Sequence, residues 1–128
     1  MSSSVLDASA LLALLLREPG GDFVAGVMQE GALIGAVNLS EVVSKLQELG
    51  SDEAQIRADI ATAKFEVVEF DELLSWQAGL LRQSTRQFGP SLGDRACLAL
   101  AGSLQLPALT GDRNWANVDV GVQVVLCR

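Results

Sequence analysis

The sequence contains no histidine and no tyrosine among its 128 residues. Without histidine, the chain cannot build a Ser-His or Cys-His nucleophile pair, and it lacks a usual ligand of zinc sites. If the protein is an enzyme, its chemistry must therefore rest on carboxylates, hydroxyls, cationic side chains or bound metal ions.

Cysteines and long apolar runs are also scarce. Cys97 and Cys127 both lie in apolar surroundings, which favours buried free thiols over a disulfide. The longest apolar run, residues 8–16, is far shorter than the ~20 residues that span a bilayer. No cationic segment precedes it, so it is not typical of a signal peptide. We expect a cytoplasmic protein without a membrane partner.

Positive charge is in short supply. Nine lysines and arginines face sixteen aspartates and glutamates, which gives a net charge of -7. This balance argues against a protein that coats nucleic acid by charge alone. It does not exclude nucleic acid held through metal ions, because a bound cation reverses the local sign.

The hydrophobic pattern predicts one α/β domain over residues 1–128, with three α/β/α layers around a mostly parallel sheet of about five short strands. Short apolar segments alternate with helical ones, which is typical of parallel βαβ units covered on both faces. The predicted strands are 3–6, 32–37, 65–70, 107–111 and 120–127. The predicted helices are 8–18, 22–31, 38–49, 51–63, 71–89 and 91–105.

Four acidic residues are expected at one edge of this sheet. Asp7 follows the first strand, and Asp112 follows the strand "ALTG". Glu41 and Asp94 lie in the first turns of helices. Ligands of open α/β sheets bind beyond the carboxyl ends of the strands, where the following helices also begin. The four carboxylates are therefore expected to meet there.

Each acid also has an ordinary structural interpretation. Asp7 could cap a helix, and Asp112 could be a turn residue. The segments "NLSE" (38–41) and "SLGD" (91–94) both resemble capping boxes. For Glu41 taken alone the structural interpretation is favoured, since a lysine four residues on would support an exposed ion pair.

Asp94 is harder to explain as a cap alone. On a helix it shares a face with Cys97, Leu98 and Ala101, and a charge that points inward needs a partner. A bound cation would supply one. Oxygen ligands without histidine favour one or two Mg²⁺ or Mn²⁺ ions, which can activate water and stabilise a leaving oxygen.

Four segments together resemble a PIN domain and, more narrowly, the ribonuclease toxin of a VapBC-type toxin–antitoxin pair. They are "VLDASALLALLLREP", "NLSEVVSKL", "LRQSTRQFGPSLGDRACLALA" and "LPALTGDRNW". The resemblance covers nearly the whole chain. It implies an endoribonuclease that depends on Mg²⁺ or Mn²⁺ and hydrolyses RNA phosphodiester bonds with a metal-activated water.

The resemblance also implies roles for particular residues and partners. The catalytic, metal-binding acids would be Asp7, Glu41, Asp94 and Asp112. The hydroxyls of Ser9 and Thr110 would steady these ligands by hydrogen bonds. Proteins of this kind commonly form homodimers and are silenced by a cognate antitoxin, whose tail typically wraps the toxin.

Cationic and aromatic side chains near these segments have two interpretations each. The arginines could steer RNA phosphates or be ordinary solvated helix residues; they are Arg82, Arg86, Arg95 and Arg113. Trp76 and Trp115 could stack on bases, although packing within an apolar helix is favoured for Trp76.

Other functions fit less well or remain as alternatives. A receiver domain expects an acid pair after the first strand and a lysine after the last, whereas the only lysines are Lys45 and Lys64. A haloacid dehalogenase expects two aspartates spaced by one residue, and "DAS" lacks the second. A non-catalytic PIN-like protein-binding module and a housekeeping RNA-processing nuclease both remain open.

Overall fold

Five short parallel strands form the centre of the computed structural model, which describes residues 3–128. The strands are β1 (Ser4–Leu6), β2 (Ala32–Gly35), β3 (Glu66–Val68), β4 (Ala108–Thr110) and β5 (Val124–Leu126). Their order across the sheet is β3-β2-β1-β4-β5, and every neighbouring pair is parallel. The predicted five-stranded parallel sheet is confirmed.

Six helices connect and cover the strands. They are α1 (Ala8–Leu15), α2 (Gly21–Met28), α3 (Ala36–Glu48), α4 (Glu53–Ala61), α5 (Glu72–Thr85) and α6 (Leu92–Leu104). Side chains of Asp52, Asp71 and Ser91 accept hydrogen bonds from backbone N–H groups in the first turns of α4, α5 and α6. These caps explain why the three helices begin where they do.

Adjacent residues of the central strands pack into two separate hydrophobic cores, one on each face of the sheet. Val5 and Ala108 pack on the side of α5 and α6, whereas Leu6 and Leu109 pack on the side of α1 to α4. Successive strand side chains point to opposite faces of a sheet, so two adjacent apolar residues can serve both layers. This arrangement confirms the predicted three-layer architecture.

Two expectations about apolar segments can be compared with the structure. Cys97 and Cys127 are both buried and both free, as predicted. Within residues 3–128, no helix is long and apolar enough to cross a membrane.

The boundary between β2 and α3 differs from the prediction. The strand ends at Gly35 and α3 begins at Ala36, two residues before Asn38, where the sequence pattern placed the start. No loop separates the two elements, because extended Gly35 serves as the N-cap. Asn38 therefore lies within the first turn of the helix and cannot be its cap.

The strand order places a crevice at the carboxyl ends of β1 and β4. From β1 the chain proceeds to β2 on one side and later returns to β4 on the other, which is the topological switch point of an open α/β sheet. Helices α3 and α6 contact each other beside this point. The first turns of both helices therefore border the crevice.

We predict that Leu11→Ala lowers the free energy of unfolding by about 2–5 kcal/mol, because Leu11 of α1 is fully buried in the core and its truncation leaves a cavity. The matched change Leu73→Ala, at a leucine of α5 that is 62% exposed, should cost much less. Urea denaturation of both variants measures the difference, and equal losses would contradict this description of the core.

Candidate functional site

Asp7 lies directly after β1 and is the most deeply buried acid of the crevice, with 4% of its surface exposed. The hydroxyl of Thr110 donates to Oδ2 at 2.6 Å, and the backbone N–H of Ala10 donates to Oδ1 at 2.8 Å. The Ser9 hydroxyl lies 2.7 Å and 2.9 Å from the two carboxylate oxygens. Asp7 thus caps α1, and two hydroxyls hold its carboxylate in place.

The two hydroxyls are themselves held by the turn after β4. The Ser9 Oγ accepts from the N–H of Gly111 at 2.9 Å, and the Thr110 Oγ1 accepts from the N–H of Asp112 at 3.0 Å. Because each hydroxyl accepts from the backbone, its hydrogen is free to point at a carboxylate. This network joins the ends of β1 and β4.

Glu41 reaches the crevice from the first half of α3. The Asn38 side-chain amide donates to Glu41 Oε1 at 3.2 Å and to the Gly93 carbonyl at 3.0 Å. Gly35 and not Asn38 is the N-cap of α3, so "NLSE" does not form the suggested capping box. Asn38 is instead buried, with 1% of its surface exposed. No ion pair joins Glu41 to Lys45 within residues 3–128. Both structural interpretations of Glu41 are therefore wrong.

Asp94 lies at the start of α6 and forms the capping box that "SLGD" suggested. Its N–H donates to Ser91 Oγ at 3.2 Å, and its Oδ2 accepts from the N–H of Ser91 at 3.0 Å. The side chain turns back over the helix end and is half-buried. The expectation that Asp94 points into the core is wrong, because this reciprocal cap keeps it at the rim.

Asp112 lies in the turn that follows β4. Its Oδ1 accepts from the N–H of Asn114 at 3.0 Å, as expected of a turn residue. Asp112 and Asp94 line one small cavity of about 90 Å³, with the buried Trp115 as part of its wall. The structure therefore places Asp112 beside Asp94.

Burial and neighbouring negative charge raise the pKa values of two of these acids, Asp7 and Glu41. Burial and the charge of Asp94 raise the pKa of Asp7, against hydrogen bonds from Thr110, Ala10 and Ser9 that lower it. Partial burial and repulsion, first from Asp94 and then from Asp7, raise the pKa of Glu41. In the part of the chain that the structure describes, no cationic side chain contributes to the pKa shift of Asp7 or Glu41. The crevice is therefore a region of uncompensated negative charge.

The acids do not form a ready-made metal cluster. Among residues 3–128, no group of three or more acidic, cysteine or histidine side chains is arranged to hold an ion. The expected four-carboxylate ligand set is therefore not assembled, because each carboxylate is held by its own hydrogen bonds. The donors nevertheless fit a hard divalent cation: all are oxygens, they repel one another, and no cation neutralises them.

The arginines and tryptophans do not all lie where the sequence suggested. Arg95 is 9% exposed and donates to the Ala78 carbonyl at 2.9 Å, so it packs between α5 and α6 instead of facing solvent. Trp115 is 3% exposed and cannot stack on a base. Trp76 is 65% exposed, so the packing expected for it is wrong. The inner face of α5 instead carries Leu74 and Ala78.

Asn38 and Gly93 also contact Glu41, and the sequence pattern assigned neither of them a role in the crevice. A Cβ built on Gly93 would overlap both carboxylate oxygens of Glu41. A glycine inside a predicted helix signals close approach, and this was the available clue. The Asn38 contact joins positions 55 residues apart, and no local pattern reports such a contact.

Comparison with known proteins identifies the family. The PIN domain profile matches residues 4–121, so the chain belongs to the PIN domain family. The resemblance noted in the sequence is confirmed at this level. No curated protein sequence was found to match the chain.

Several solved structures share the fold. A DNA-bound VapBC complex from Salmonella typhimurium has a TM-score of 0.80 at 16% identity, with 100% of both chains covered. VapC20 from Mycobacterium tuberculosis, a toxin that cleaves the sarcin-ricin loop, has a TM-score of 0.75 at 17% identity over 95% of this chain and 99% of its own. A toxin–antitoxin complex from Klebsiella pneumoniae has a TM-score of 0.73 at 19% identity over 98% of both chains.

We predict that Glu41→Gln stabilises the metal-free protein at pH 7 by about 0.5 kcal/mol, since solvent screens part of the repulsion that it removes. A raised native pKa means that the protonated acid stabilises the fold at low pH, and this contribution is lost as pH rises through that pKa. The gain should therefore become small near about pH 3, well below the ordinary glutamate pKa of about 4.3, because the carboxyl is then protonated in both the folded and the unfolded protein. Urea denaturation in EDTA at both pH values measures it; a gain that persists at low pH would contradict this origin.

Proposed function

We propose that this protein is an endoribonuclease that depends on Mg²⁺ or Mn²⁺ and serves as the toxin of a VapBC-type toxin–antitoxin pair. PIN family membership supports a nuclease, and the solved structures with this fold include toxins of such pairs. The observation that carries the proposal is the convergence of Asp7, Glu41 and Asp94, whose charges repel one another, while no cationic side chain of residues 3–128 contributes to the pKa shifts of Asp7 and Glu41.

In this proposal the ligands of one or two ions come from Asp7, Glu41, Asp94 and Asp112. When bound, the metal supplies an activated water as the nucleophile and stabilises charge on the leaving oxygen of the phosphodiester. Ser9 and Thr110 orient the Asp7 carboxylate through their hydroxyls. The capping box orients Asp94 in the same way.

The same proposal assigns RNA contacts to exposed cations. Arg82, Arg86 and Arg113 are exposed, so their guanidinium groups are available to attract phosphates toward the crevice. Arg95 has no part in it, because its side chain is buried in helix packing. Since the net charge is -7, binding of RNA depends on these local cations and on the metal.

The proposed partners are a cognate antitoxin and a second copy of the chain, in the cytoplasm. The antitoxin is proposed because the similar solved structures include toxin–antitoxin complexes. The homodimer is supported by an apolar stripe on α5 formed by Leu73, Trp76 and Leu80, which are 62%, 65% and 69% exposed. Residues at this spacing share one helix face, and such a patch favours burial against a partner.

One observation favours a second candidate, a non-catalytic PIN-like module that holds a protein partner. The acids of residues 3–128 are not arranged as a ready ligand set, as a module without catalysis would allow. A housekeeping RNA-processing nuclease would use the same acids but would not arrest growth when expressed without an antitoxin.

We predict that the purified protein cleaves RNA with Mg²⁺ or Mn²⁺ and stops in EDTA, and that Asp94→Asn lowers the rate by about 100-fold or more. The asparagine can still accept the capping hydrogen bond, so the fold should persist. Asp119→Asn, at an exposed acid outside the crevice, is the matched control.

Gel assays on structured RNA measure the rates, and circular dichroism checks the fold. Full activity of Asp94→Asn would reject the assignment. Metal binding by wild-type protein without cleavage of any RNA would favour the non-catalytic module. Growth arrest on expression of wild type, but not of Asp94→Asn, separates a toxin from a housekeeping nuclease.

We predict that Leu80→Asp converts the dimer to a monomer, because it places a charge in the apolar stripe of α5. Leu104→Asp, at a leucine of α6 that is 43% exposed, is the matched control and should leave the dimer intact. Light scattering after size exclusion gives the mass of each variant; a wild-type monomer would contradict the proposed homodimer.

A further inference from the structure

We propose that Asn38 and Gly93 are positioning residues that together hold the Glu41 carboxylate in the acidic crevice. The proposal rests on the proposed function in that Glu41 is taken as a ligand of the metal. Two observations support it. Gly93 leaves a gap on the surface of α6, called the notch below, and the side-chain amide of Asn38 in α3 is hydrogen-bonded to the backbone at that gap.

The notch exists because Gly93 has no side chain. A Cβ built there overlaps Oε1 and Oε2 of Glu41 and lies 2.5 Å from its Cδ. The backbone of Gly93 does not have the positive φ that favours glycine, so its conformation is open to other residues. Glycine at this position therefore leaves space for the Glu41 carboxylate, and any larger residue would have to displace that carboxylate.

Asn38 closes the notch from the side of α3. Its Nδ2 donates to both Glu41 Oε1 and the Gly93 carbonyl, which fixes the orientation of the amide. Its Oδ1 is buried without a hydrogen-bond partner in the described chain. Leaving a buried acceptor unpaired is unfavourable, so the bonds made by the amide nitrogen are what this residue contributes.

Glu41 needs such a restraint more than the other acids do. The residue as a whole is exposed although its carboxylate is partly desolvated, its side chain is long, and the charges of Asp94 and Asp7 both repel it. Without the amide and the notch, rotation into solvent would relieve that repulsion. The clamp therefore keeps Glu41 beside Asp94, where both could share one cation.

The first experiment compares Gly93→Ala with Gly102→Ala, a glycine of the same helix whose added Cβ would make an ordinary 3.5 Å contact with Val122. Electron paramagnetic resonance of free Mn²⁺ gives the metal affinity without any RNA. We expect Gly93→Ala to weaken Mn²⁺ binding by about tenfold or more and Gly102→Ala to leave it unchanged. Asn38→Ala should also weaken binding, and its cleavage rate should recover at high Mn²⁺.

The second experiment removes the carboxylate that the new methyl group would meet. We expect Gly93→Ala to change the free energy of unfolding, measured by urea denaturation, by a different amount in the wild type than in Glu41→Ala, because only in the wild type must the new methyl group displace a carboxylate. This comparison needs neither metal nor activity, and it remains decisive if the single variant folds poorly.

Wild-type Mn²⁺ affinity in Gly93→Ala, or an equal loss of stability with and without the Glu41 side chain, would overturn the positioning role. A wild-type protein that binds Mn²⁺ but cuts no RNA would reject the proposed nuclease, while the affinities of the variants would still decide the role of Asn38 and Gly93. A wild-type protein that binds no Mn²⁺ would overturn both.

Discussion

Carboxylates at one edge of the sheet repel one another, and the surrounding residues hold them together there in spite of that repulsion. Asp7, Glu41 and Asp94 come from three different elements, and their charges act on one another. Each is held by neutral donors, namely hydroxyls, a side-chain amide or a backbone N–H. Neutral donors fix the position of a charge without cancelling it, so the crevice keeps its negative potential.

The order of the strands explains how distant acids reach one place. Because β1 lies at the centre, its end faces both β2 and β4, and Asp7 is bonded across the switch point to Thr110. Gly35 ends β2 and caps α3 with no intervening loop, which brings the first turns of α3 to the same edge. The start of α6 then supplies both Asp94 and the space at Gly93.

The alternation of apolar segments was sufficient to predict the sheet and its layers, because strand and helix periods are local properties of the chain. The placement of the four acids after strands or near helix starts could be predicted for the same reason, although Glu41 lies one turn further into α3 than expected. Local patterns could not assign the faces of α5, where Trp76 is exposed, or the wall of the crevice, where Trp115 is buried. Nor could they reveal the contact of Asn38 with α6, which depends on how two helices meet.

Cys97 of α6 is fully buried in the core, and its surroundings have a chemical consequence. Complete burial, followed by the charges of Asp7, Asp94 and Glu41, raises the pKa of this thiol well above its ordinary value. The thiolate is the form of cysteine that attacks peroxides and alkylating reagents, and this environment disfavours the thiolate. The Cys97 sulfur is therefore protected from oxidation. Oxidation to a sulfinate would add another negative charge to those of the crevice.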